Sequence, residues 1–277
     1  MIAIGIDIGG TSIKMAAVDS NGKRYDRVKM KINVGDGQDK ITDDLILLIK
    51  KYVREQNFNE DICGIGIGIP GLIDSTHGIV SYSGNLKWKD LHIIEKFRTH
   101  FNCPIRITND ANAAALGEAR FGAGKVHQNM IMITLGTGVG SGIIISDKIY
   151  EGKHGKGAEL GHTTLVYNGL PCTCGRKGCF EMYASATALI RQTKEAMEED
   201  KNSLLWEISK EKGVDGKTVF DAAKAGDKTA IKVLDKYVEY LSEGLLNICN
   251  TFRPDCIVLS GGIARKKEYL TDKVNEY

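Results

Sequence analysis

The feature that most constrains this chain is a repeated local unit. The sequence opens on strict alternation, with Ile2, Ile4, Ile6 and Ile8 on one face and Asp7 on the other, and then reaches Gly9-Gly10. Alternation with a period of two that ends in glycine is a half-buried strand running into a turn. A second apolar run, Ile13 to Val18, returns and breaks at Asp19-Ser20-Asn21-Gly22. The pattern recurs as Asn129 to Leu135, Gly136-Thr137-Gly138 and a returning run over 139–145. Setting Asp7-Ile8-Gly9-Gly10-Thr11 against Thr134-Leu135-Gly136-Thr137-Gly138 gives a displacement of 127 residues. That is one domain length. The chain therefore reads as two α/β domains, 1–118 and 119–277, with the boundary among Gly117, Gly122 and Gly124.

Between the two units the pattern shifts to helical spacing over 38–56, with Ile41, Leu45, Leu48, Ile49 and Tyr52 on one face. Residues 24–31 read as a third strand, Ile62 to Ile69 as a strand, 90–100 as a helix and Ile105 to Thr108 as a strand. The run DANAAALGEAR over 110–120 reads as a helix with Asp110 at its N-cap. Helices dominate 184–250, and a buried strand, Cys256 to Leu259, ends at Ser260-Gly261-Gly262.

Composition excludes several classes. Lys and Arg number 37 against 35 Asp and Glu, a net of +2, so no polyanion partner is expected. The one basic cluster, Arg265-Lys266-Lys267, reads as a solvated face. The longest uncharged apolar stretch, Met130 to Ser146, holds four glycines and two threonines and is no membrane span. No secretory signal opens the sequence. Seven cysteines, three of them within 172–179, fit a cytoplasmic chain with one metal site, and Cys63, Cys103, Cys249 and Cys256 read as reduced buried thiols.

Two familiar phosphate motifs fail in context. Gly66-Ile67-Gly68-Ile69-Pro70-Gly71 has the dinucleotide spacing, but Pro70 and the residues after it cannot open the required helix. Gly216-Lys217-Thr218 resembles the end of a P-loop, yet Glu211 occupies the first glycine position. The paired hairpin turns carry more weight. Glycine lets a phosphate approach backbone N–H groups closely. Thr11 and Thr137 add hydroxyls, Lys14 adds charge, and Asp7 is placed to hold Mg²⁺ through water. One glycine hairpin would be ordinary. Two copies one domain apart, with a third Gly-Gly at 261–262, point to nucleotide phosphates between two domains.

The sharpest chemical signal is Cys172-Thr-Cys174-Gly-Arg-Lys-Gly-Cys179, with His162 ten residues upstream. Three thiolates and one imidazole are a structural zinc set. A lone histidine is often only a surface or core residue, so spacing alone leaves His162 less secure than the thiolates. Glu159 and Glu181 flank the cluster, Asn109-Asp110 sits at a strand-to-helix junction where an N-cap is the ordinary reading, and Asn85 follows Ser-Gly in a loop.

Together these residues resemble the ROK family (repressor, open reading frame, kinase), sugar kinases of the actin and hexokinase superfamily. The resemblance runs through Asp7-Ile-Gly-Gly-Thr11, Ile69-Pro-Gly71, Asn85-Leu-Lys-Trp88 and Asn109-Asp-Ala-Asn112. It continues through Leu135-Gly-Thr-Gly138, Glu159-Leu-Gly-His162, the cysteine motif ending at Glu181, and Ser260-Gly-Gly262. The cysteine motif and the Glu-x-Gly-His segment are characteristic of the family, whereas Asp-x-Gly-Gly-Thr belongs to the wider superfamily.

The resemblance implies an actin-like, ribonuclease H-like two-domain fold with ATP in the interdomain cleft, Mg²⁺ beside it and a structural Zn²⁺ on His162, Cys172, Cys174 and Cys179. It implies phosphorylation of a hexose at its 6-hydroxyl, with Asp110 as general base, ionised at pH 7 without a large shift. Gly71, Asn85, Asn109, Asp110, Glu159, His162 and Glu181 match sugar-contacting positions. Asp7, Gly9, Gly10, Thr11, Lys14, Thr137, Gly138, Gly261 and Gly262 match the nucleotide side. His162 would turn one ring nitrogen to zinc and the other to a sugar hydroxyl, and closure on sugar would guard ATP against water. Glucose is the expected sugar, from the Ser83-Gly-Asn-Leu-Lys-Trp88 segment. N-acetylmannosamine or N-acetylglucosamine is the competing reading, with fructose and allose behind. A non-catalytic sugar-sensing regulator and an actin-like assembly or chaperone ATPase are the readings from other classes. The sequence starts directly on a strand without a helix-turn-helix, and only fifteen residues follow Gly262, fewer than the family's closing helix needs. A homodimer or higher homo-oligomer is expected from the resemblance.

Overall fold

The computed structural model describes residues 1–58, 62–266 and 269–277, so Lys267 of the basic cluster lies outside the described residues. The chain forms two compact units, one of residues 1–126 and 142–158, the other of 127–141 and 159–277. These compact units part at a different place from the 1–118 and 119–277 division read from the sequence. The segment 142–158 falls in the first unit through contacts that composition does not reveal, Glu151 bonded to Ser75 and Thr108 and Gly155 against the Ile73 carbonyl, although the strand at 148–150 pairs only with the strand before it.

The first unit opens as the alternation dictates. Strands β1 (Ile2–Ile8) and β2 (Ser12–Asp19) pair antiparallel from Ile2 opposite Asp19 to Ile8 opposite Ile13. Strand β3 (Val28–Lys31) is shorter than the sequence suggests, because residues before it make only an isolated bridge, Arg24 to Val18. Helix α1 (Gly37–Glu55) buries Ile41, Leu45, Ile49 and Tyr52 of the face its spacing marks out, and Ile46 besides, while Leu48 is half-buried. The Tyr52 hydroxyl accepts from the Ala17 amide at 3.1 Å and donates to the Asp26 carbonyl at 2.7 Å, tying α1 to β2.

Strand β4 (Ile62–Ile69) follows, then a small antiparallel sheet of β5 (Leu72–Asp74), β6 (Ile79–Ser83) and β7 (Trp88–Leu91). This sheet shortens the helix expected over 90–100 to α2 (Ile93–Arg98), since pairing with β6 holds Trp88 and Leu91 extended. Strand β8 (Ile105–Asn109) and helix α3 (Asp110–Phe121) complete the sequence-contiguous part. The main sheet runs β3-β2-β1-β4-β8, with β1, β4 and β8 parallel. Its core packs Ile4, Ile6 and Ile8 with Leu45, Ile49, Ile67, Trp88 and Phe97.

In the second unit β9 (Met130–Leu135) is buried along nearly its whole length and lies parallel to β12 (Cys256–Gly261). Strand β10 (Val139–Ile145) carries the chain out of this unit, and its end pairs with β11 (Lys148–Tyr150) in the first. Helices α4 (Glu181–Ala184), α5 (Ala186–Glu199), α6 (Leu205–Ile208), α7 (Thr218–Lys224), α8 (Lys228–Phe252) and α9 (Thr271–Glu276) supply the rest. Ser185 caps α5 by accepting from the Ala188 amide, and Asp227 caps α8 by accepting from the Ala230 amide at 2.7 Å. No helix among the described residues is long and apolar enough to cross a membrane. All seven cysteines are free. Contrary to the sequence reading, Cys63 and Cys249 are exposed and Cys103 and Cys256 half-buried. Cys63 falls on the uncovered face of β4 and Cys249 on the polar side of α8, so their neighbours in the fold decide their exposure.

Candidate active site

In the first unit the carboxyl ends of three adjacent parallel strands meet. Asp7 of β1 lies opposite Gly68 of β4, and Ile69 of β4 lies opposite Asn109 of β8. Ligands in open α/β sheets bind beyond such ends. The Asn109 side chain accepts from the Ala111 amide at 2.8 Å, so Asn109 and not Asp110 is the N-cap of α3. Its amide nitrogen donates to the Gly71 carbonyl at 3.1 Å. One side chain thus fixes both the helix start and the turn after β4. At Gly71, φ is +123° and an added Cβ would fall 2.3 Å from the Tyr82 carbonyl oxygen, so glycine is required there.

Asp110 takes the first helical position, its Oδ1 accepting from the Ala111 amide at 2.9 Å, where a carboxylate is favoured by the helix N-terminus. Its carboxyl is open to solvent on one side yet closely surrounded by protein. Burial pushes its pKa above the ordinary carboxylate value, the Asp7 charge adds to this, and the Ala111 amide works the other way. The first glycine turn is beside it: the Gly9 amide donates to the Ser12 carbonyl at 3.0 Å, and an added Cβ on Gly10 would stand 3.5 Å from the Asn85 carbonyl. Thr11 and Asn85 are exposed. Lys14 reaches back to Asp7 at 2.8 Å, so the charge read as free for phosphate is paired with the carboxylate read as the Mg²⁺ holder.

In the second unit the corresponding turn is tighter, the Gly136 amide donating to the Gly138 carbonyl at 3.0 Å. Gly261 of β12 lies opposite Leu135 of β9, so Gly261-Gly262 and Gly136-Thr137-Gly138 leave adjacent strand ends. Glu181 packs directly on this turn. An added Cβ on Gly138 would sit 2.5 Å from Glu181 Oε2, which also accepts from the Val139 amide at 3.4 Å.

The other oxygen of Glu181 faces the cysteine cluster, with Oε1 3.2 Å from Cys172 Sγ and 3.6 Å from His162 Nδ1. The donor atoms of His162, Cys172, Cys174 and Cys179 all lie within 4.8 Å of one another. Cys172 Sγ is 3.6 Å from His162 Nδ1, and Cys174 Sγ is 3.6 Å from Cys179 Sγ. Four tetrahedral bonds of about 2.3 Å to sulfur and 2.0–2.1 Å to nitrogen separate donors by about 3.6–3.8 Å. A disulfide would bring the sulfurs to about 2.05 Å. The residues present therefore fit zinc. Burial pushes the Cys172 thiol up to about 12, while the Arg176 amide pulls Cys174 down. Nδ1 of His162 turns to the thiols, which leaves Nε2 on the other side of the ring. Glu159 opens the short turn Leu160–His162, where the His162 amide donates to the Glu159 carbonyl at 3.0 Å and the Leu160 amide to Ser141 Oγ at 3.1 Å.

Sequence reasoning missed Glu151. It accepts from Ser75 Oγ and Thr108 Oγ1, both at 2.5 Å, and lies 3.4 Å from the Asn112 amide nitrogen. Thr108 and Asn112 bracket Asn109-Asp110, so Glu151 braces that junction from the segment that returns to the first unit. Nothing local marks it, because its partners stand up to 76 residues away.

Fold and site define an α/β protein with a strand, glycine-turn and strand unit in each compact unit, the second beside a thiolate and imidazole cluster. The chain belongs to the ROK family, whose profile matches residues 3–277. It is 37% identical over 277 residues to a glucokinase of Halalkalibacterium halodurans, covering 99% of this chain and 84% of that protein. It is 35% identical over 263 residues to a xylose repressor of Bacillus spizizenii, covering 94% of this chain and 64% of that protein. Among solved structures, a ROK family glucokinase from Streptomyces griseus in complex with glucose and AMPPNP superposes with a TM-score of 0.80 and 34% identity. That match covers 100% of this chain and 88% of the other. The fold is thus the actin-like α/β fold that the family resemblance implies.

Proposed function

We propose that this chain is an ATP-dependent sugar kinase that moves the γ-phosphoryl group of ATP to the 6-hydroxyl of glucose. The observation that carries this reading is the Asn109-Asp110 junction. A capping asparagine holds the strand end while the next carboxylate is held by the Ala111 amide through Oδ1, open to solvent and raised in pKa by its surroundings. Asp110 takes the proton from the sugar 6-hydroxyl as that oxygen bonds to phosphorus. The bond from phosphorus to the bridging oxygen breaks, and ADP leaves with the electron pair. Phosphoryl transfer asks mainly for positioning and charge stabilisation, which suits a carboxylate base held at the start of a helix. Asn85, Asn109, Glu159, His162 and Glu181, with the backbone at Gly71, bind and orient sugar hydroxyls. A buried hydroxyl partner left unpaired costs about 1–3 kcal/mol, which gives the site its selectivity.

Asp7, Gly9, Gly10, Thr11 and Lys14 take nucleotide phosphates, as do Thr137, Gly138, Gly261 and Gly262. Mg²⁺ near Asp7 would neutralise phosphate charge. Zinc on His162, Cys172, Cys174 and Cys179 would orient His162 and Glu181, since four protein ligands leave no open position for chemistry. The similarity to the glucokinases of known sequence and structure supports glucose. The xylose repressor relative favours a second reading, a sugar-binding protein that transfers nothing. A coupled ADP-release assay with Mg-ATP against glucose, N-acetylmannosamine, N-acetylglucosamine, fructose and allose separates them. We expect turnover with glucose above the other four. Turnover with an N-acetylhexosamine alone would move the assignment to that sugar. Sugar binding without turnover would establish the second reading.

A further inference from the structure

We propose that Asp74, His77 and His154 form a second metal site, open to solvent, for a divalent cation of the nickel, copper and zinc kind. It lies in the first unit, apart from the thiolate cluster, and is independent of the kinase reading. Its donors come from two separate segments: Asp74 ends β5, His77 sits in the turn that follows, and His154 lies in the loop after β11. Their ligand atoms all fall within 4.8 Å of one another. His77 Nδ1 stands 2.9 Å from Asp74 Oδ2, and His154 Nδ1 stands 3.7 Å from the same oxygen. Metal bonds of about 2.1 Å set donors about 3.0 Å apart at a right angle and about 3.6 Å apart at 120°, so both separations suit one ion. The two imidazole rings already stack, with centroids 6.4 Å apart and planes 28° from parallel.

Donor chemistry selects the cation. Two imidazoles and one carboxylate without thiolate suit nickel, copper or zinc, whereas magnesium and calcium take oxygen sets. The Asp74 side chain is 14% exposed, against 60% and 51% for His77 and His154, so a fixed carboxylate anchors the site and water completes the shell. The loop bearing His154 is already pressed onto β5. An added Cβ on Gly155 would stand 1.8 Å from the Ile73 carbonyl, and His154 itself adopts φ of +56°, a conformation few side chains accept. A bound cation would clamp this loop to β5. Gly71 lies three residues before Asp74, and Glu151, the brace of the Asn109-Asp110 junction, lies three residues before His154. The ion would stiffen that support without touching the reacting atoms.

The test titrates the protein loaded with one Zn²⁺ per chain, enough for the thiolate cluster alone, with Ni²⁺ by equilibrium dialysis, counting zinc and nickel per chain together. We expect one nickel bound with zinc retained. His77→Gln and His154→Gln should each weaken nickel binding at least tenfold, while His92→Gln, which alters an exposed histidine elsewhere, should leave it unchanged. Should His154→Gln disturb the loop, Asp74→Asn gives the same loss from the other segment, and nickel-dependent broadening of the His77 and His154 ring resonances reports the site in the unaltered protein. Absence of bound nickel, release of zinc as nickel binds, or equal loss in His92→Gln would overturn the proposal.

Discussion

The two glycine turns are one local unit set in opposite surroundings. β1 alternates buried and exposed, so Ala3, Gly5 and Asp7 face away from the core, whereas β9 is buried on both faces apart from partial exposure at Thr134. The first turn closes through Gly9 and Ser12, and the second is one residue tighter, closing through Gly136 and Gly138. Beside the first stand Asp110, Asn85 and an exposed Lys14–Asp7 pair. Against the second stands the Glu181 carboxylate, which joins it to the cysteine loop. A repeated backbone unit therefore does not bring a repeated site. The first turn is left beside a carboxylate that can take a proton, and the second is locked to a metal-type scaffold.

The largest expected effect breaks the chemical half of this contrast. Asp110→Asn should lower kcat by about 10²–10⁴-fold, the usual contribution of a general base. Glucose binding by calorimetry should persist. Because burial raises its native pKa, the folded protein binds this proton more tightly than the unfolded chain. Stability is then lost as pH rises from the unfolded value through the raised native value, so Asp110→Asn should melt higher than the parent at pH 7. In the parent, kcat/KM should fall as pH drops through that raised value. Near-parental turnover in the variant would remove Asp110 from the role of base.

Next comes the scaffold. Cys174→Ser should lose bound zinc, lower Tm by about 5–10 °C on the scale of 2–4 °C per kcal/mol, and weaken glucose binding through His162 and Glu181. Loss of zinc with unchanged glucose affinity would separate the cluster from the sugar site.

A matched pair then compares the turns directly. Gly138→Ala puts a methyl 2.5 Å from Glu181 Oε2, so that carboxylate must swing off the Val139 amide, a lost bond that should cost about 0.5–1.5 kcal/mol, and KM for ATP should rise. Gly10→Ala meets its neighbour at 3.5 Å, an ordinary contact, and should cost less than about 1 kcal/mol. Equal costs in chemical denaturation would erase the distinction between a locked and an open turn.

Smaller effects sharpen the first unit. Glu151→Gln keeps the shape but loses the charged acceptor of Thr108 and Ser75, and should lower kcat by up to about tenfold with KM for glucose little changed. A rise in KM with unchanged kcat would mean Glu151 supports binding instead of the base. Smallest is Lys14→Met. With side chains 40% and 53% exposed, the ion pair should contribute under about 1 kcal/mol to stability, yet KM for ATP should rise. An unchanged KM would take Lys14 out of the nucleotide side.

What could be read from the sequence was local. Both hairpins, the buried face of α1, the start of α3 to within one residue and the cysteine spacing show themselves within a few turns of chain, where periodicity and ligand spacing act. The exception within that range, Asn109 capping α3 in place of Asp110, turns on backbone angles: both side chains reach the Ala111 amide, but Asn109 is extended, with φ −61° and ψ 149°, while Asp110 is already helical. The small sheet β5 to β7 escaped because its strands are three to five residues long and its pairing overrides a helical pattern at Trp88 to Leu91.

The strand and helix types, the two glycine turns and the donor chemistry of the cysteine and histidine cluster were legible along the chain, since each follows from side chains close together in it. Only the tertiary structure decided that Glu151 would brace Thr108 and Asn112, that Glu181 would press on Gly138, and that His154 would meet Asp74. These pairs lie about 40 to 80 residues apart. Their meeting is set by strand order and by the chain's return to the first unit, and sheet pairing across such distances leaves no local period to read.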